Sequence, residues 1–258
     1  MTRAARPASW AVMAFLVLPL AAIVPMSFSG TRYLSLPSGG LSLVHYETLA
    51  ADPSWHTSLL HSLWVALPAA VLAVLLGTAF CLGAWQRQGR AVRLLQVLML
   101  GPLIVPGIIH AVAYHRALSL VGLFDTFTGT VIVHAIKGLP FVVLSVTASL
   151  SAVHPASLQL ARSFGASTWQ GLWRVVLPQV RPGVATGFVF AFVTSWDEIV
   201  VTLFITSRRV HTLPRQVWEG LFLNLDPVVA ALGTLALLLT LLSIALLFGR
   251  GGRVPTVP

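Results

Sequence analysis

A chain of 258 residues that is 57% hydrophobic and only 9% charged, with a mean hydropathy of +0.88, is not a soluble domain, because soluble chains carry about a quarter charged residues. Its net charge of +9 does not point to nucleic acid, since the arginines stand in small groups between apolar runs, where basic residues report membrane topology. The single cysteine, Cys81, lies inside an apolar run and excludes an internal disulfide.

Six apolar runs approach the roughly 20 residues a helix needs to cross a bilayer, which predicts an all-α, polytopic membrane protein with six transmembrane helices in one domain over residues 1–258. The first run, about 10–28, follows Arg3 and Arg6. It has the charged and apolar regions of a signal peptide but is long and lacks a small-residue cleavage site before Gly30, so an uncleaved first helix is expected. Residues 30–58, with Pro37, Gly39, Gly40, Asp52 and Pro53, read as an outer loop holding one short amphipathic helix.

The second span covers about 59–85 and is followed by a short inner loop with Arg87, Arg90 and Arg93. The third, about 94–118, is broken by Pro102 and Pro106, tolerable where neighbours satisfy the freed carbonyls. A turn with Asp125 leads to the fourth span, about 129–150, which contains His134, Lys137 and Pro140. The fifth, about 184–206, contains Asp197 and Glu198, and the sixth is about 228–248. An outer loop between these two carries Arg208, Arg209 and Arg215, a surface for a substrate-binding protein or simply a solvated loop.

Between the fourth and fifth spans lies a polar segment, 154–183, with the grammar of two short helices joined at a glycine. Pro155 suits a first helical turn, Gly165 permits a turn that other residues resist, and Ser167 with Gln170 forms a capping box. Trp169, Leu172, Trp173, Val176 and Leu177 then fall on one helix face, and Pro178 is expected to end the helix. Such an element either docks on a partner or lies on the lipid surface.

Charge orients the chain. With both termini inside, inner segments hold ten arginines and outer segments five, which with Lys137 accounts for all sixteen basic residues. None of the seven acids falls in an inner segment. Both termini and the 154–183 segment are therefore expected to be cytoplasmic.

In the same segment, Gln159-Leu160-Ala161, three residues, Gly165, nine residues and Val175-Val176-Leu177-Pro178 resemble the EAA loop of ATP-binding-cassette (ABC) importer permeases, with Gln159 and Leu160 replacing that pattern's Glu and Ala. His61-Ser62-Leu63 resembles the N-S-L start of the family's second core helix. The run 194–201, Thr212-Leu213-Pro214 and Asp226-Pro227 are similar to the spermidine/putrescine type, whose relatives include permeases for aminophosphonates, opines and ferric iron. The resemblance implies an inner-membrane subunit of a binding-protein-dependent importer. Its partners would be two ABC ATPases, a second permease, a substrate-binding protein and membrane lipid, but no nucleic acid. It further implies a coupling surface made of Gln159, Ala161, Arg162, Gly165, Trp169, Leu172, Trp173, Leu177 and Pro178.

The chain lacks a G-x-x-x-x-G-K-[ST] phosphate loop. No cofactor and no enzymatic activity are expected of it, and ATP belongs to the partner ATPase. Ionisable residues inside spans are costly and by default functional. His134 and Lys137, at i and i+3, share a helix face. Asp197 and Glu198 would diverge by about 100° on a helix, so one of them, preferably Asp197, faces a substrate pathway. Lys137 either lines that pathway or pairs with one of the two acids. A lysine there would repel polycations, which keeps a solute carrying both charges in view. His110 with His115, and His56 with His61, lack metal-protease spacing, and no metal site is expected. A gradient-driven transporter or an intramembrane enzyme would explain the buried charges but not the glycine-centred double helix.

Overall fold

The computed structural model describes residues 5–87 and 89–250; Arg3 and Arg253, counted above among the inner charges, lie outside them. Helices make up most of the described residues, and no strand occurs among them. Five helices are long and apolar enough to cross a membrane, or six if one sharply bent pair forms a single span.

Two compact units are present. The first comprises residues up to His56 together with Gln216 onward. It contains α1 (Ala5–Ser27), α2 (Val44–Ala51), most of α11 (Leu213–Glu219) and α12 (Val228–Arg250). Helix α12 packs on α1 and α2, and Gly233 lies against Ile23. Ser27 apart, none of the described side chains in the span-length part of α1, Ser9–Ser27, is buried.

The second unit, Thr57–Arg215, is organised around α6 (Phe127–Leu150). Thr126 starts α6 by accepting the Gly129 N–H at 3.0 Å, an ordinary N-cap. The main partner of α6 is α9 (Leu177–Trp196), which runs antiparallel along it. Small residues permit their approach. A Cβ placed at Gly138 would lie 2.9 Å from Ala191 Cβ, one at Gly187 3.0 Å from Val142 Cα, and one at Gly183 2.6 Å from the Ser145 carbonyl. The G-x-x-x-G pair Gly183/Gly187 is thus a helix-packing device. Helix α3 (Pro53–Gln86) joins the same core, with Gly77 against Val142.

Three sequence expectations need correction. The third span, expected to be broken by both Pro102 and Pro106, breaks at Pro106 alone, into α4 (Arg90–Ile104) and α5 (Gly107–Leu120), which meet at 110°. Pro106 lacks an N–H and drives Val105 into an extended conformation, φ −80° and ψ 132°; Pro102 is accommodated inside α4. The fifth span is interrupted as well. Helix α9 ends at Trp196, Asp197 to Ile199 break the helix, and the short α10 (Val200–Ile205) packs on α5. Asp197 and Glu198 therefore do not share a continuous helix.

The third correction concerns Pro178, which ends nothing. Helix α8 (Thr168–Gly171) passes through a π-helical turn, Leu172–Val176, into α9, a continuous helical run from Thr168 to Trp196. The wider turn lets the Leu177 N–H bond the Leu172 carbonyl, and Pro178 falls in the first turn of α9, where a missing donor is least costly.

At the opposite end of α6 from α8, the loops are clasped by Asp125, a non-glycine residue at φ +53°. Its carboxylate accepts backbone N–H groups from Ser207 at 2.8 Å, Arg208 at 2.9 Å, Arg209 at 3.1 Å and Val210 at 3.4 Å. Burial works to raise the Asp125 pKa, but the four N–H donors outweigh it and hold the carboxyl below the ordinary aspartate value.

Gly183→Ala should destabilise the detergent-solubilised chain by about 1–3 kcal/mol through overpacking. Gly83→Ala, where a Cβ meets nothing within 4 Å, should stabilise the chain by about 0.5–1 kcal/mol; thermal unfolding midpoints measure both. Asp125→Ala should cost of order 1–3 kcal/mol in the loop, seen as faster hydrogen exchange at the amides of 207–210. Because the folded pKa is depressed, that contribution is complete above the unfolded aspartate value and disappears as the pH falls through the folded one.

Candidate functional site

The segment 154–183 forms a tight two-helix corner. Helix α7 (Ala156–Ser163) closes with paired bonds, Gly165 N–H to Arg162 O at 3.0 Å and Ala166 N–H to Ala161 O at 3.1 Å. That is a Schellman motif, and Gly165 at φ +85° supplies the left-handed residue it requires. The capping box then opens α8: Gln170 N–H donates to Ser167 Oγ at 3.2 Å, and Ser167 N–H to Gln170 Oε1 at 2.8 Å. Gly171 lets the two helices touch, since a Cβ there would lie 2.5 Å from Leu158 Cδ1.

The apolar ridge expected from sequence divides in two. Leu172 and Val176 are buried with Leu158 in the core of the unit, and Leu177 and Pro178 are half-buried. Trp169 and Trp173 stay outside, 67% and 50% exposed, with their rings edge to face at 5.5 Å. Leu160 at 59% and Phe164 at 90% are exposed on the neighbouring helix and its cap. Gln159 and Arg162 are exposed beside them, and Ala161 is half-buried against Gly171. Phe164 escaped sequence reading because a residue just before a turn glycine belongs to no helix period.

A second cluster lies where α9 breaks. His134 and Lys137 project from α6 toward it. Lys137 Nζ forms an ion pair with Glu198 Oε2, both side chains largely buried. Glu198 Oε1 also accepts the Val201 N–H at 2.8 Å, holding the start of α10. His134 is fully buried, with Nδ1 2.8 Å from Ser195 Oγ and Nε2 3.1 Å from Thr202 Oγ1. Because the Thr202 hydroxyl donates to the Glu198 carbonyl at 2.8 Å, it accepts from His134, placing a proton on Nε2; in the neutral ring Nδ1 then accepts from Ser195. Asp197, the acid preferred from sequence, ends α9 with an exposed side chain and no ion pair among the described residues.

His110 and Tyr114 stack at 5.6 Å on α5. Sequence reading considered His110 only as a metal ligand and passed over Tyr114, Ser195 and Thr202; hydroxyls in an apolar run carry little signal until a partner is known. The i, i+4 spacing of His110 and Tyr114 was the available hint. His115 turns elsewhere, donating from Nδ1 to the Phe204 carbonyl at 2.8 Å.

The two short motifs noted at 61–63 and 212–214 meet in space. His61 Nδ1 accepts the His211 N–H at 3.1 Å, and Ser62 Oγ accepts the Leu213 N–H at 2.8 Å. Ser58 Oγ lies 3.1 Å from His211 Nδ1. Together with Asp125 these side chains bind the loop after α10 to the rest of the unit, fixing the far side of the polar break.

Known proteins share this architecture. Residues 54–250 match the family described as "Binding-protein-dependent transport system inner membrane component". The chain is 27% identical over 234 residues to the spermidine/putrescine transport system permease protein PotC of Escherichia coli (strain K12), covering 91% of this chain and 88% of that one. To the molybdenum transport system permease protein ModB of Mycobacterium tuberculosis it is 29% identical over 248 residues, covering 89% and 92%. A crystal structure of a bacterial ABC transporter involved in import of the acidic polysaccharide alginate has a similar fold, with a TM-score of 0.70 at 17% identity over 98% of this chain and 99% of the matched chain. An amino acid ABC transporter gives a TM-score of 0.57 at 20% identity over 80% and 97%. The chain belongs to the family of binding-protein-dependent inner-membrane components, the permease subunits of ABC importers.

Proposed function

We propose that the chain passes a small, cationic, polyamine-like solute across the bacterial cytoplasmic membrane, driven by ATP hydrolysed on a pair of separate ATPases that grip the α7–α8 corner. A second permease subunit completes the pathway and a binding protein delivers the solute. The observation that carries this reading is the union of both features on one element: the exposed Trp169 and Trp173 lie on the same continuous helical run whose far end forms the polar break. The inner-segment arginine bias favours a cytoplasmic position for that corner and for both termini.

The ion pair bears on the solute. With Glu198 neutralising Lys137, the lysine no longer argues against a cation, and the exposed Asp197 adds an acid free of any ion pair among the described residues. A protonated amine would meet Asp197 first and compete with Lys137 for Glu198. PotC is named for spermidine and putrescine, in keeping with that chemistry. ModB, named for molybdenum, keeps an oxyanion as the second reading, with Lys137 as its counter-charge.

Vesicles containing the whole importer decide between them. ATP-dependent, vanadate-sensitive spermidine uptake that Asp197→Asn depresses is expected. Molybdate uptake depressed by Lys137→Met would replace the cationic reading, and gradient-driven uptake by this chain alone would end the ABC mechanism. Glu198→Gln and Lys137→Met should each cost about 3–5 kcal/mol of stability by orphaning a buried charge, with a smaller combined loss in the double variant than the sum.

Docking has its own test. Gly165→Val forces a β-branched residue into the left-handed region, costing about 1–2 kcal/mol, and Trp173→Asp puts a charge on the docking face. Both chains should insert in membranes while losing co-purification with the ATPase. Retention of the ATPase by both variants would sink the docking assignment.

A further inference from the structure

An apolar groove of about 730 Å³ runs between the last turns of α3 and the α8–α9 run. Leu75, Ala79 and Leu82 form one wall, Trp169 and Trp173 the other, and Arg87 stands at the end where the span stops. We propose that this groove binds one anionic phospholipid, with an acyl chain between α3 and the two indoles and its phosphate on Arg87.

Three features of the site select this ligand. The walls are hydrocarbon and indole over the length of several helical turns, a surface that water wets poorly and an acyl chain fills. Tryptophan prefers the headgroup level, where its ring lies in an apolar region and its N–H remains wet. The third is charge. Arg87 is exposed at the end of the groove, no acid occurs in 86–93 or 154–183, and Arg87 has no ion pair among the described residues. A guanidinium at a membrane surface with no carboxylate nearby pairs with phosphate through two parallel hydrogen bonds. A cation with no acid nearby favours a lipid with net negative charge over a zwitterionic one.

The test uses the intact importer, delipidated in detergent and titrated with phosphatidylglycerol or phosphatidylcholine under native mass spectrometry. Phosphatidylglycerol should bind in preference to phosphatidylcholine. Arg87→Gln should weaken it about fivefold, and Ala79→Trp, which fills the groove from an exposed position, should remove the adduct for both lipids. Equal binding of the two lipids, or phosphatidylglycerol binding unchanged in both variants, would overturn the proposal. So would a cysteine at position 75 that cross-links efficiently to the second permease, because the groove would then be a protein interface. Trp169 and Trp173 also stand on the proposed docking face, so the separating variant is Ala79→Trp on α3: loss of the lipid adduct with the ATPase still bound distinguishes lipid binding from docking.

Discussion

The close seam between α6 and α9 is the contact on which the second unit depends. Lipid tails are as apolar as leucine, so no hydrophobic force drives two helices together within a bilayer, and contact must come from packing and hydrogen bonds. Gly138, Gly183 and Gly187 remove the side chains that would hold the backbones apart. Short polar groups then reach across. Ser195 meets His134, and Glu198 meets Lys137, only because the two helices have already approached at Ala191 and Gly138.

Breaks in membrane helices free backbone groups that must be satisfied locally, and here the satisfying groups are also the charged ones. Glu198 accepts from Val201 N–H while holding Lys137, and Thr202 returns its hydroxyl to the Glu198 carbonyl. Asp125 does the same for the next loop, with four N–H groups on one carboxylate. Neither acid is a spare charge. Each is tied to the place where the chain changes direction, so the electrostatics of the unit and its geometry cannot be altered separately.

Much of the fold was legible because its rules are local. Apolar runs located the long helices, Gly165 with its Schellman closure was written in the glycine, and Ser167 with Gln170 announced the capping box. What local rules missed came from tertiary context. Pro178 is a helix breaker only if the turn before it is α-helical, and the π-helical turn at 172–176 moves it to a permitted position. The face holding Trp169 through Leu177 was correctly seen as apolar, but periodicity cannot tell which part meets the chain's own core and which part remains exposed. His134 and Lys137 were placed together by helical spacing. Choosing between Asp197 and Glu198 required knowing that α9 stops at Trp196, and nothing in the apolar run from 184 to 206 announces that stop.

The unbroken run from Thr168 to Trp196 has a mechanical meaning. Its 29 residues make a rod of roughly 43 Å at 1.5 Å per residue, with two exposed indoles at one end and the Glu198 ion pair just past the other. Under the proposed coupling, a push or twist applied near Trp169 would have no loop in which to dissipate. It would arrive as a rotation or translation of Ser195 and Glu198 against α6, where sliding by even part of a turn would exchange the partners of His134 and Lys137. In that reading the helix serves as a connecting rod, and the buried pair beyond it as the bearing on which it turns.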